Sequence, residues 1–168
     1  MAKYRALTIE ELSAMEKEFV DFLVLNGIPG DDWVKIKSND PEKADGICEA
    51  FSDVVFTKIL KSCRYLEKHA AKQIVSIYCD DTKMHLLGLE APEEMDIDFT
   101  DPAQFQSLKE STPDGIQLLK SEKLYNQERE LELWAMLNDG FFISDQNLYM
   151  ALFGSAEHEN KQANPDQK

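Results

Sequence analysis

The chain has 168 residues, is 43% hydrophobic and 30% charged, and carries a formal net charge of −14 with a pI near 4.6. That length suits one domain with a substantial core, and so acidic a balance argues against nucleic-acid phosphates and anionic membrane surfaces as partners. Cys48, Cys63 and Cys79 are odd in number and contain no C-x-x-C pair, which speaks against a disulfide framework or a closed zinc site.

The first predicted helix opens at Thr8, with Glu11 three residues on as a capping box. Leu12, Met15, Phe19, Phe22 and Leu23 follow at helical spacing, and Asn26-Gly27 ends the helix. Asp31 or Asp32 is expected to cap a brief helix bearing Trp33, Val34 and Ile36, with the Trp33 ring packed near Phe22 and Phe51. Asp40-Pro41 opens a third helix whose wide apolar stripe (Ile47, Cys48, Phe51, Val54, Val55, Ile59, Leu60) predicts packing on two sides, with Gly46 at a close helix crossing. Cys63 to His69, Gln73 to Cys79 and Met84 to Leu89 then read as three strands of an antiparallel meander, with Asp80 to Lys83 as a turn.

Ala91 to Thr100 reads as an irregular acidic crossing, and Asp101-Pro102 starts a short helix. After a turn cluster at Ser111 to Gly115 comes a possible short strand at Ile116 to Leu119. The spacing of Leu124, Leu131, Trp134, Ala135 and Leu137 predicts a long helix from Ser121 to Asn138, ended by Gly140. Ser144 is expected to cap a last helix with Leu148, Tyr149, Leu152 and Phe153. The expected organisation is one α+β domain over residues 1–153, followed by a disordered polar tail over 154–168. In it, N-terminal helices pack on a three-stranded antiparallel sheet, and a C-terminal helical hairpin closes the core.

Three segments carry a family resemblance: Leu7 to Leu12, Asp32 to Lys37, and Asp96-Ile97-Asp98-Phe99-Thr100-Asp101-Pro102. With these the chain resembles an uncharacterised family of small acidic bacterial proteins, a domain of unknown function. The resemblance implies a bacterial cytoplasmic setting and transfers no functional residue. Separately, Glu130 to Leu137 with Asp139 to Asp145 is similar to the helix–Gly-x-Ile-Ser–helix hairpin of short C-terminal oligomerisation modules.

Residues 80 to 101 hold eight carboxylates against Lys83, half of the chain's net charge. Asp80, Asp81, His85, Glu93, Glu94, Asp96 and Asp98 are the candidate ligands for a divalent cation there. The glycine and terminal glutamate of an EF-hand loop are missing, and a solvated crossing anchored by Ile97 and Phe99 is the plainer reading. A Cys79–His85 or Cys63–His69 pair would be the only conceivable activated thiol. Lys58, Lys61, Arg64, Lys68 and Lys72 would share one helix face if the third helix ran on that far. Serine-nucleophile, phosphate-loop and dinucleotide motifs are all missing.

The sequence therefore predicts a non-catalytic, cytoplasmic protein-interaction module with no cofactor. It would form a homodimer through the C-terminal helices and meet a basic protein partner, without nucleic acid or membrane. The alternative is a small divalent-metal-dependent enzyme or sensor built on residues 80–101.

Overall fold

The computed structural model describes residues 2–110 and 113–163, with side chains placed for all of these except 107–110 and 157–163. The chain divides into two compact units, Met1–Ser62 and Cys63–Lys168.

The N-terminal unit contains α1 (Ile9–Ala14), α2 (Glu16–Leu25), α3 (Gly30–Asn39) and α4 (Pro41–Ser62). The capping box forms as expected: Glu11 N–H donates to Thr8 Oγ1 (3.2 Å), and Thr8 N–H donates to Glu11 Oε2 (2.8 Å). The Arg5 guanidinium and the Thr8 N–H together hold the Glu11 carboxyl down at about 2. The expected single first helix breaks at Met15 (φ −111°, ψ 28°), which separates α1 from α2. Gly27, at φ +71°, ends α2 in the left-handed region that glycine tolerates. α3 begins at Gly30 after Pro29, so Asp31 and Asp32 lie in its first turn rather than capping it. Asp40 does cap α4, its carboxylate accepting from Lys43 N–H at 3.1 Å.

These helices enclose one aromatic core of Phe19, Leu23, Phe51 and Val55. Trp33 packs against it as expected, edge-on to Phe19 at 5.2 Å, while Phe19 meets Phe51 at 5.1 Å. Ser52 joins the segment before α1 to α4: its hydroxyl accepts from Leu7 N–H and donates to the Cys48 carbonyl. Gly46 marks no close crossing, since a Cβ there would meet nothing within 4 Å. The stripe on α4 is covered only in part: Phe51, Val55 and Leu60 are buried, but Val54 and Ile59 are exposed.

The C-terminal unit is built on a five-stranded antiparallel sheet of order β4-β3-β2-β1-β5. Its strands are β1 (Tyr65–Ala70), β2 (Gln73–Cys79), β3 (Lys83–Glu90), β4 (Gln117–Leu124) and β5 (Phe142–Ser144), and its helices are α5 (Pro102–Glu110), α6 (Arg129–Asn138) and α7 (Asn147–Ala163). The expected three-strand meander forms the centre of this sheet, and two strands extend it. Residues 117–124 continue the sheet beside β3 instead of starting a helix at Ser121. The backbone pairing is reinforced by Lys83 Nζ donating to Glu122 at 2.6 Å. The helix begins only at Arg129. Within its first turn, buried Glu132 accepts from Asn126 N–H and Lys123 Nζ of the preceding segment, both at 2.6 Å. Burial pushes the Glu132 carboxyl up, and these two donors more than offset it.

The expected C-terminal helical hairpin is interrupted by β5, which pairs with β1. Gly140, at φ +89°, makes the reversal out of α6. Ser144 lies in β5, and Asp145 rather than Ser144 accepts from Asn147 N–H at the start of α7 (2.8 Å). One face of the sheet builds a core of Ile74, Leu87, Ala91 and Phe99 with Leu148 and Leu152 of α7. On the other face Leu66, Val75, Ile77, Cys79 and Met84 are buried. Ser111 and Thr112 of the expected turn, and residues 164–168 of the expected tail, lie outside the described residues.

Candidate functional site

The strand registers line up four side chains across the sheet. Tyr65 of β1 stands opposite Tyr78 of β2, Tyr78 opposite His85 of β3, and His85 opposite Glu122 of β4. Directly paired residues point to the same face, so this is a continuous row of two phenols, an imidazole and a carboxylate. Tyr149 of α7 reaches the same row, its ring 5.8 Å from Tyr65 and 5.9 Å from Tyr78, while Tyr65 and Tyr78 are 5.3 Å apart. The three phenol rings thus touch one another, and all three are half-buried. Burial pushes the Tyr149 hydroxyl up, helped by Tyr65, Glu122 and Tyr78, so it remains a neutral donor at ordinary pH.

His85 fixes the acidic edge of this platform. Its ring stacks on Tyr78 at 5.6 Å, its Nε2 lies 2.8 Å from Asp80 Oδ2, and its Nδ1 lies 3.0 Å from Glu122 Oε1. Each ring nitrogen thus faces a carboxylate oxygen, which can only accept. Asp80 also accepts from the backbone N–H groups of Thr82 and Lys83, both at 2.7 Å, which closes the β2–β3 turn. His85 and these two N–H groups hold the Asp80 carboxyl far below the usual carboxylate range. Lys83 and then His85 hold Glu122 low as well.

Behind the turn lies a well-buried cation, Arg129 at the start of α6. Its guanidinium donates to the carbonyls of Cys63, Cys79 and Asp80, while the Tyr125 hydroxyl donates to the Asp80 carbonyl at 2.9 Å. Burial, with Cys79 adding to it, pushes the Tyr125 hydroxyl up to about 12. These bonds tie the ends of β1 and β2 to α6 and fix the platform's position.

Of the residues expected to hold a cation, the structure brings together Asp80 and His85. Asp81 points elsewhere and pairs with Arg64 at 2.7 Å. Glu93, Glu94 and Asp96 are exposed on the 91–100 crossing, and Asp98 accepts from the N–H and hydroxyl of Thr100. That crossing is held by Lys72, whose Nζ donates to the carbonyls of Met95 and Ile97, and by buried Phe99, the inward anchor the sequence had suggested. Among the described residues, no group of three or more His, Cys, Asp or Glu side chains is placed to hold a metal ion.

The thiol pairs do not form either. Cys79 is paired with Met84, one position off His85, so the strand pleat sends Cys79 and His85 to opposite faces. His69 is six residues along the chain from Cys63 and is bonded to Glu67 at 3.0 Å. The basic stripe dissolves as well, because α4 stops at Ser62. Beyond it Lys68 pairs with Asp139, and Lys72 is turned to backbone carbonyls.

The sequence reading missed the tyrosines, Glu122 and Arg129. A signal for part of the row was present. A two-residue turn at Ala71-Lys72 puts Tyr65 opposite Tyr78, and the β2–β3 register then puts Tyr78 opposite His85. Glu122 and Tyr149 carry no such local signal.

Two sequential units, the second an α+β unit with a five-stranded antiparallel sheet, define the class of this protein, and no helix among the described residues is long and apolar enough to cross a membrane. The chain belongs to a family of unknown function, DUF6495, whose profile it matches over residues 1–157. No curated protein and no solved structure matches it.

Proposed function

We propose that this protein is a non-catalytic interaction module, and that the tyrosine platform of its C-terminal unit docks a basic segment of a partner protein. The observation that carries this reading is the contact of Tyr65, Tyr78 and Tyr149 at a half-exposed site edged by Asp80 and Glu122. Tyrosine faces attract Lys and Arg cations, and tyrosine offers large contact area at little cost in rotamer entropy. Residues Cys63–Lys168 carry a net charge of −10, which would steer a cationic segment toward the unit. The geometry favours docking over chemistry, because both His85 nitrogens already face carboxylates. It also disfavours a divalent cation at Asp80 and His85, since Asp80 and Glu122 approach the ring from its two different nitrogens rather than converging.

Calorimetric titration with an Arg- and Lys-rich peptide tests the proposal, with an acidic peptide of equal length as control. Binding of the basic peptide in the micromolar range is expected, with a loss of about tenfold in Tyr78→Leu. Equal binding by wild type and Tyr78→Leu would reduce the effect to bulk charge and overturn the platform reading. Tyr149→Leu provides the same comparison from a different element.

A further inference from the structure

The N-terminal unit carries an apolar groove that its own core leaves open. Phe22 and Phe51 meet at 5.4 Å and hold α2 and α4 apart, and beside them lies a groove of about 510 Å³. Its floor includes Met15, Phe22, Phe51 and Val55, and its lips include Leu25, Val54 and Ile59, which are 86%, 53% and 41% exposed. Three strongly exposed aliphatic side chains around one groove mark a contact surface rather than scattered surface residues.

The charges on the two walls are opposite. The α2 wall contributes Glu18 and Asp21, the latter also paired with Lys17 at 3.3 Å, and the α4 wall contributes Lys58, with Lys61 and Asp53 on the adjoining surface of α4. A groove with one acidic and one basic wall is complementary to itself. A two-fold axis running along it lays α2 of one copy over α4 of the other, so each acidic wall meets the partner's basic wall while the apolar lips close on each other. We infer that the α2–α4 groove is covered by the same groove of a second copy of this chain, forming a four-helix contact with Glu18 and Asp21 facing Lys58 across the interface. A uniformly basic or acidic foreign helix would pair with one wall and be repelled by the other. α2 is about 15 Å long, so the contact is small and the dimer Kd falls in the micromolar range.

The test is the mass of the full chain in solution by sedimentation velocity across the micromolar range. Wild type is expected to pass from monomer to dimer with concentration. Lys58→Glu should weaken the dimer by about tenfold or more, because it sets like charges against each other. Combining Lys58→Glu with Glu18→Lys and Asp21→Lys should restore it, since the walls are then merely exchanged. Leu25→Gln serves as a second probe that cannot unfold the unit, because that side chain is already exposed in the single chain. It too should favour the monomer. A wild type that stays monomeric throughout overturns the inference. So does a dimer that survives both Leu25→Gln and Lys58→Glu but dissociates in Met150→Glu, which would move the contact to the exposed Phe142, Ile143, Met150 and Phe153 of the C-terminal unit.

Discussion

The two units reach stability by different physics. Residues 1–62 rely on ring packing: Phe19, Phe22, Trp33 and Phe51 interlock between helices, while Ser52 and Asp53 of α4 accept from backbone N–H groups of the segment before α1. Residues 63–163 rely on strand pairing and on long cationic side chains that reach backbone carbonyls, notably Arg129 and Lys72. Net charge follows the same division, −4 for Met1–Ser62 against −10 for Cys63–Lys168. In an acidic protein the scarce cations have become structural parts of the more acidic unit. Losing one there removes a tie between elements, whereas losing a ring in the first unit leaves a cavity.

The largest expected effect is therefore at Arg129. Arg129→Met takes the guanidinium from the Cys63 and Cys79 carbonyls and leaves the Asp80 carbonyl to Tyr125, and should destabilise the C-terminal unit by about 3 kcal/mol. Hydrogen exchange read peptide by peptide should show faster opening of β1 and β2 with α2 and α4 unchanged. Equal loss in both units would erase the contrast.

Trp33→Ala is the mirror experiment. The indole packs edge-on to Phe19 but is only half-buried, so the cost should be about 2 kcal/mol, below that of a fully enclosed aromatic. It should appear in the exchange of α2 to α4 alone.

How far the sequence revealed each unit follows the same line. The helices of the first unit follow from local signals: the Thr8–Glu11 box, Asn26-Gly27 and Asp40-Pro41 lie within a few residues of the structure they specify. In the second unit the β1–β3 meander was legible because hairpins pair neighbours. β4 was not, since Leu124 and Leu131, seven apart, imitate one helix face across the gap at Tyr125 to Glu128. What makes residues 117–124 a strand is the edge of β3, from which the 91–116 segment separates them. The site was hidden for the same reason: Glu122 and Tyr149 join Tyr65, Tyr78 and His85 only once distant elements have assembled.

Thiol chemistry sharpens the comparison. Burial pushes the Cys79 thiol up to about 12 and raises Cys63, while Cys48, also raised by burial and by Asp45, is the half-exposed one. A disulfide reagent at mildly alkaline pH should label Cys48 first, with Cys63 and Cys79 slower by about a hundredfold because thiolate and access are both lacking. Labelling of Cys79 at the rate of Cys48 would contradict the closed packing around Arg129.

The smallest expected effect is acid sensitivity. Asp80, Asp98, Glu122 and Glu132 are held below the usual carboxylate range in the C-terminal unit, and Glu11 alone in the N-terminal one. Carboxyls lowered on folding stabilise above their unfolded pKa near 4, and that contribution is lost as pH falls through the folded values. Acid unfolding followed by Trp33 and Trp134 in the single-tryptophan variants Trp134→Phe and Trp33→Phe should show the C-terminal unit failing at the higher pH. Asp80→Asn should flatten its profile below pH of about 4. Identical midpoints would break the distinction.

The position of β1 between β2 and β5 has a consequence for synthesis. The strand that completes β1 comes from residues 142–144, some seventy positions after β1 itself. At about 5–20 residues per second on the ribosome, the outer edge of β1 waits several seconds for its partner, long after the N-terminal helices have emerged. During that interval the nascent chain presents an unpaired strand edge, the kind of template on which another chain can pair.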